Sequence, residues 1–427
     1  MRIEPFRMER MQSTYENYVE YNLSESGVAP MRVEELLAGA GADPAAFLAT
    51  GLGYPQSNGS EELRDRIASF YDGATRANVL VTNGGSEANY ASFWWLLERG
   101  DRVALMVPNY LQTRGLSRAF AGRVDEFRLA PRRQGERWRW ALDLEGFRRA
   151  VTRKTRIILV TNPNNPTGAI LTAEEMDEVV RAARRVGAWI VADEIYRGAE
   201  LSGTTTPSFW GRYERVLVTS GLSKAFGLPG LRIGWVVGPP KAVETIWSYR
   251  DYTSIAIGTL SDRLAGIAME PARRETIFRR TRSIIRRNLP VLERWVEGHG
   301  ELFRYLAPEA GAIAFLRYDL PVASVPLVEK LRVERSVLIV PGDQLGLPRH
   351  VRIGVGSDPD YMLRGLQRID LALKEFRAPR PPGGARRSNR TARSGAASQA
   401  GPASAIKSRA ARRALSRSVT RPSSCIS

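Results

Sequence analysis

Between residue 79 and about residue 238 the chain alternates short β-branched and aliphatic runs with longer stretches whose apolar positions recur every three or four residues. VLVTN (79–83) precedes SEANYASFWWLLERG (86–100), RVALMV (102–107) precedes YLQTRGLSRAF (110–120), and RIILVTN (156–162) precedes TAEEMDEVVRAARRVG (172–187). AWIVAD (188–193) leads into EIYRG and a turn-rich stretch, and RVLVTS (215–220) and IGWVVG (233–238) add two further strand-like runs. Strands alternating with amphipathic helices predict an α/β fold with a doubly wound, mostly parallel sheet. In such sheets ligands bind outside the carboxyl ends of the strands.

The pattern changes after about residue 275. RRETIFRRTRSIIRRNLPVLERWVEG (273–298) reads as one long basic helix containing a proline, and GAIAFLRYD, SVLIVPG and HVRIGVG read as strands of a smaller α+β unit. The expected organisation is an N-terminal segment (1–50) contributing to the small domain, a large domain (51–275), a small C-terminal domain (276–377) and a basic tail (378–427).

Composition narrows the function classes. At 427 residues and 43% hydrophobic content the chain suits a globular protein of more than one domain, with no apolar stretch long enough to span a membrane. Cys425 stands alone and His299 and His350 show no ligand spacing, which argues against a disulfide framework or a metal centre. The N-terminus mixes both charge signs and lacks the apolar core of a secretion signal, so a cytoplasmic location is expected. Net charge is +18, but residues 378–427 hold eleven Lys/Arg and no Asp/Glu, leaving +7 on the body. Rich in Pro, Gly, Ser and Ala, that tail cannot bury enough apolar area to order itself, and a nucleic-acid contact is expected only through it.

The chemistry lies at the ends of the strands. TSGLSKAFGLPGLRIGW (219–235) places Lys224 and Arg232 in a Gly/Pro-rich loop between two strands; if these are neighbours, both cations sit at one sheet end and require an anion or a covalent use. TNPNNPTG follows another strand and holds Asn165 between prolines; AWIVAD ends on Asp193, with Tyr196 one helical turn on; NGGSEA offers two glycines at a helix start, a site for a phosphate. Taken singly, Lys224 is a loop lysine, Asp193 a helix cap and Asn165 a turn former. Together they suit a planar heteroaromatic cofactor with an aldehyde, a phenolic oxygen, a ring nitrogen and a phosphate arm, which is pyridoxal 5′-phosphate.

The set NPNNPTG, DEIY and SKAFGLPGLRIG, in this order and spacing, resembles class I/II aminotransferases, fold-type-I pyridoxal-phosphate enzymes, over residues 20–376. The resemblance implies Lys224 as the Schiff-base lysine, Asp193 as the partner of the pyridine nitrogen, and Asn165 and Tyr196 as ligands of the phenolic oxygen. It also implies Gly85, Ser86 and Arg232 at the phosphate, Tyr110 stacked on the ring, and Arg352 clamping the substrate α-carboxylate with Asn165 and Gly27 nearby. Tyr54 would reach the phosphate of a second subunit, implying a homodimer with shared sites. The substrates implied are an L-amino acid and a 2-oxo acid. The family's Ser or Thr three residues before the lysine is here Gly221, flanked by Ser220 and Ser223, so a neighbouring hydroxyl or a backbone N–H is expected in its place. SESGVAP, LSKAFGLPGLRIGW, RDYTSIAIG and VLIVPG are similar to capreomycidine-synthase-type cyclases, so a cyclase or lyase acting on an arginine-derived substrate is the alternative, with Glu25 and Asp251 as partners for a basic side chain.

Overall fold

A computed structural model describes residues 3–377; the basic tail and Cys425 lie outside the described residues. Eight strands form the main sheet, in the spatial order Val79–Thr82, Gly234–Val237, Val216–Gly221, Trp189–Asp193, Thr155–Thr161, Arg102–Val107, Arg123–Gln134, Arg137–Leu142. The five strands from Val216–Gly221 to Arg123–Gln134 run parallel. Gly234–Val237 flanks them antiparallel on one side, with Val79–Thr82 antiparallel to it at the sheet edge, and Arg137–Leu142 flanks them antiparallel on the other side.

Alternation along the central strands builds two cores. Leu105, Leu159, Val191, Leu217 and Val236 face one side, against Ala88, Ala91 and Leu96 of the helix Gly85–Leu96. Met106, Ile158, Val160, Ile190 and Val218 face the other, against Met176, Val179 and Ala183 of the helix Ala173–Val186. Each such side chain, fully buried, contributes about 1.5–3 kcal/mol. Thr172 and Glu175 start the latter helix with a reciprocal capping box, as the TAEE sequence implies.

The long basic helix spans Pro271–Glu297 with Pro290 inside it. A four-stranded antiparallel sheet follows in the order Phe303–Tyr305, Ile313–Tyr318, His350–Gly354, Val340–Pro341. Tyr21–Asn22 pairs in parallel with Val337–Leu338, tying the N-terminal segment to this C-terminal region. After Asp193 the chain makes turns rather than a helix, closed by Arg197 N–H on Glu194 O at 2.9 Å and Ala199 N–H on Tyr196 O at 3.0 Å. Among the described residues no helix is long and apolar enough to cross a membrane, and no His/Cys/Asp/Glu group has metal-binding geometry.

Candidate active site

The strand ends open on a cavity of about 270 Å³ that Asp193, Lys224, Arg232 and Arg352 all line. Asp193 terminates a strand paired with Thr161 on one side and Thr219 on the other. Its carboxylate accepts from Ile195 N–H at 3.1 Å and from Asn89 Nδ2 at 3.4 Å. Asn89 is oriented in turn by Thr219, whose hydroxyl donates to Asn89 Oδ1 at 2.8 Å and leaves the amide N–H₂ for Asp193. Burial pushes the Asp193 carboxyl up to about 6, against the pull of these two hydrogen bonds. With no Lys or Arg within 4.0 Å among the described residues, this carboxylate lacks a cation.

Val216–Gly221 and Gly234–Val237 are antiparallel neighbours with Gly221 opposite Gly234, so the loop between them returns Lys224 and Arg232 to one end of the sheet. Burial depresses the Lys224 ammonium, with Arg352 and Arg232 adding repulsion, while Glu25 and Glu9 oppose the shift. Its nearest carboxylate is Glu25, with Nζ to Oε2 at 4.0 Å. Arg232 adopts φ +52°, and its guanidinium reaches Pro229 O at 3.0 Å and the Ser223 hydroxyl at 3.5 Å.

Gly84, at φ +81°, caps the helix Gly85–Leu96 beside Arg232, and a Cβ there would overlap the guanidinium. The exposed first turn of this helix and Arg232 together form an anion cradle. The missing hydroxyl at Gly221 has a steric reason, since a Cβ there would stand 2.7 Å from Ile233 O. Ser220 is committed elsewhere, donating to Glu194 O at 3.1 Å, whereas Ser223 lines the cavity beside Arg232.

Arg352 projects from the strand His350–Gly354 and is 1% exposed. It donates to Asn165 Oδ1 at 3.0 Å and Ser24 O at 2.6 Å, its Nε has no partner, and no carboxylate stands within 4.0 Å among the described residues. Burial lowers its pKa first of all. Tyr196 is 2% exposed, and its hydroxyl finds no hydrogen-bond partner although Ser26 is close enough to offset part of the rise. Burial carries that phenol up to about 12, so it is a donor at neutral pH.

Tyr110 lines the cavity with its ring edge-on to Phe6 at 4.7 Å and its hydroxyl on Glu9 Oε2 at 3.1 Å. Gly85, Ser86 and Asn165 line it as well. Gly27 sits behind the lysine: a Cβ there would come within 3.2 Å of Ser223 O and 3.8 Å of Lys224 Cδ. Tyr54 is not part of this cavity and stands 92% exposed. Asp251 is likewise exposed and outside it, whereas Glu25 is in the wall. Sequence reasoning missed Asn89, and also the helix Arg7–Tyr15, whose Glu9 and Gln12, with Glu16 just beyond, join the wall. Their spacing of three and four residues was the available signal.

These unsatisfied groups fit pyridoxal phosphate: a carboxylate without a cation, an unpartnered buried phenol, an anion cradle and a lysine whose ammonium burial disfavours. The family description "Aminotransferase class I and II" matches residues 40–369. The chain belongs to this family. Among class I and II relatives, an aspartate aminotransferase of Streptomyces avermitilis is 29% identical over 75% of this chain and 82% of its own. Capreomycidine synthase of Streptomyces vinaceus is 30% identical over 74% of this chain and 80% of its own. A pyridoxal-phosphate-dependent aminotransferase from Streptococcus suis superposes with a TM-score of 0.80 at 30% identity, covering 88% of this chain and 99% of that one. The cyclase OrfR superposes at 0.78 with 28% identity over 88% and 99% of the two chains. The fold is fold-type I, and the cofactor of this aminotransferase is pyridoxal phosphate.

Proposed function

We propose that the chain transfers an amino group between an L-amino acid and a 2-oxo acid, with the cofactor carried on Lys224. The observation that carries this reading is the pairing in one cavity of a half-buried lysine with a buried arginine, Arg352, that has no carboxylate within 4.0 Å among the described residues. Pyridoxal phosphate, when bound, supplies an aldehyde to which amines add and a ring that accepts electron density. Asp193 would hold a proton on the ring nitrogen, its carboxylate kept aimed by Asn89 and the Ile195 N–H. Arg232, Ser223 and the amides of Gly85 and Ser86 would hold the phosphate, Tyr196 and Asn165 would donate to the phenolic oxygen, and Tyr110 would cover the ring. Arg352 takes the substrate carboxylate by a two-pronged bond, with Asn165 and Gly27 beside it. Lys224 Nζ, whose ammonium form burial disfavours, would be the group that accepts and hands on the proton of the substrate α-carbon.

The working form in this proposal is a cytoplasmic homodimer. Tyr54 supports it: exposed beside Leu52 and Leu48, it suits a residue that completes the phosphate site of a second copy. The likeness to capreomycidine synthase and OrfR supports a second reading, a cyclase or lyase of the same cofactor. The two separate in one assay. Transamination requires a 2-oxo acid for continued turnover, and equal turnover without it would favour the cyclase or lyase.

A further inference from the structure

We infer that Asn89 is a positioning residue for the reaction: it holds Asp193 in its carboxylate form, aimed at the cavity, and through Gln112 ties that carboxylate to the phosphate cradle. This deepens the transamination reading above and rests on it. Asn89 is buried on the helix Gly85–Leu96, one helical turn beyond the cradle residues Gly85 and Ser86. Thr219 and Asp193 stand side by side on adjacent parallel strands, and Asn89 reaches both from the helix. Its Oδ1 accepts from the Thr219 hydroxyl at 2.8 Å. Its Nδ2 donates to Asp193 Oδ2 at 3.4 Å and to Gln112 Oε1 at 3.4 Å. Gln112 in turn donates from Nε2 to Ser86 O at 3.0 Å.

Both ends of the Asn89 amide are thus engaged, and in one sense only. Turned round, Oδ1 would face Asp193 and Gln112 Oε1, acceptor against acceptor. Gln112 cannot relieve this by turning too, because its own Oε1 would then meet Ser86 O. Thr219 and Ser86 O, at opposite ends of the network, therefore commit Asn89 to donating. A donor fixed on Oδ2, with Ile195 N–H on Oδ1, favours the ionised carboxylate over the acid.

The surroundings of Asp193 otherwise oppose its charge. The titratable and charged groups around it are Glu194 on the same turn, Tyr196, Tyr110 from the loop after the strand Arg102–Val107, and Lys224, Arg232 and Arg352 in the cavity wall. Glu194 and Asp193 repel each other, burial keeps both phenols neutral at neutral pH, and none of the three cations comes within 4.0 Å of Asp193 among the described residues. Burial already pushes the Asp193 carboxyl up to about 6 with both hydrogen bonds in place, so loss of the Asn89 donor moves it towards neutrality.

The test uses the full-length protein loaded with pyridoxal phosphate or with its ring-N-methylated analogue, whose fixed positive charge pairs only with an ionised Asp193 and needs no proton from it. Affinity for the analogue, read by quenching of protein fluorescence without any amino acid, should weaken as pH falls through about 6. In Asn89→Leu the weakening should begin about one pH unit higher, the scale of one charge-assisted hydrogen bond. Thr219→Val, which frees the amide to turn, should shift it the same way by less, and Thr219→Ser should restore it. Loaded with pyridoxal phosphate at mildly alkaline pH, Asn89→Leu should react with an amino acid roughly ten-fold more slowly than the unaltered protein, and within about three-fold of it on the analogue. A purely structural role would slow both alike. The inference is overturned by an unmoved weakening point in Asn89→Leu, or by equal loss on the two cofactors. Should Asn89→Leu fail to fold, the Thr219 pair decides, and the same weakening point in Thr219→Val and Thr219→Ser overturns it. Because that point is read without substrate, its failure is distinct from failure of the transamination reading, which falls if the unaltered protein, loaded on Lys224, reacts with no amino acid.

Discussion

Two arginines of this protein are almost equally buried and differ in one respect, which makes them an internal control. Arg250 is 0% exposed and bonded through Nε to Glu87 Oε2 at 3.2 Å, and Glu87 also accepts from Asn83 N–H, Thr253 and Ser254. Arg352 is 1% exposed with no carboxylate within 4.0 Å among the described residues, only the longer-range pull of Glu25 and Glu9. Arg250→Met leaves Glu87 buried without its cation, a loss of about 3–5 kcal/mol in stability. Arg352→Met forfeits bonds to Asn165 and Ser24, about 1 kcal/mol each, but also removes an uncompensated buried cation. Its net stability change should therefore stay within about 2 kcal/mol of zero. Its functional loss should be large, because two charge-assisted bonds to the substrate carboxylate amount to about 3–5 kcal/mol, roughly a hundred- to a few thousand-fold in kcat/KM. Urea denaturation and steady-state kinetics on both variants read the two effects separately. The reasoning is refuted if Arg352→Met is as unstable as Arg250→Met, or if it keeps kcat/KM within ten-fold of the unaltered enzyme.

Other outcomes follow from the same geometry. Asp193 has its folded-state pKa raised to about 6, above the ordinary carboxylate value, so its contribution to the stability of the cofactor-free protein is present at low pH and is lost as pH rises from about 4 through about 6. Cofactor-free Asp193→Asn should therefore gain in melting temperature over the unaltered protein across that window and hold the gain above it; a constant difference would contradict the shift. Gly221→Ser, which restores the family's hydroxyl, should lower the melting temperature and not slow cofactor loss on dialysis, because its Cβ meets Ile233 O at 2.7 Å. Gly234→Ala should weaken cofactor retention, since its Cβ would overlap the Gly84–Gly85 backbone that forms the cradle; unchanged retention by absorbance would place the phosphate elsewhere.

Much of the fold is legible in the chain because the central strands are buried on both faces and read as continuous apolar runs. RIILVTN and AWIVAD need no tertiary context. The hairpin Arg123–Gln134 with Arg137–Leu142 was hidden by its chemistry: exposed Arg123, Glu126, Arg128, Arg132, Arg133 and Arg137 interrupt it, so no continuous apolar run marks it. In the site, Lys224, Asp193 and Arg232 are legible because each sits directly at a strand end. Asn89 is not, because its role depends on which face of the helix Gly85–Leu96 meets Thr219 across the sheet. Gly221 carried its signal in sequence, but the cause lies in the approach of Ile233 from the neighbouring strand. The acidic face of the helix Arg7–Tyr15 acquires meaning only when Gln12 docks it on Ser24, a contact no local pattern specifies.

The central claim concerns one nitrogen atom. The chain's lysines are Lys154, Lys224, Lys241, Lys330, Lys374 and Lys407, and among the described residues Lys224 alone of them lines the cavity. Protein incubated with pyridoxal phosphate, reduced with borohydride and mapped by peptide mass should carry the cofactor on Lys224, at close to one per chain, and Lys224→Ala should carry none. Stoichiometric label on any other lysine, or label that persists in Lys224→Ala, would contradict the account.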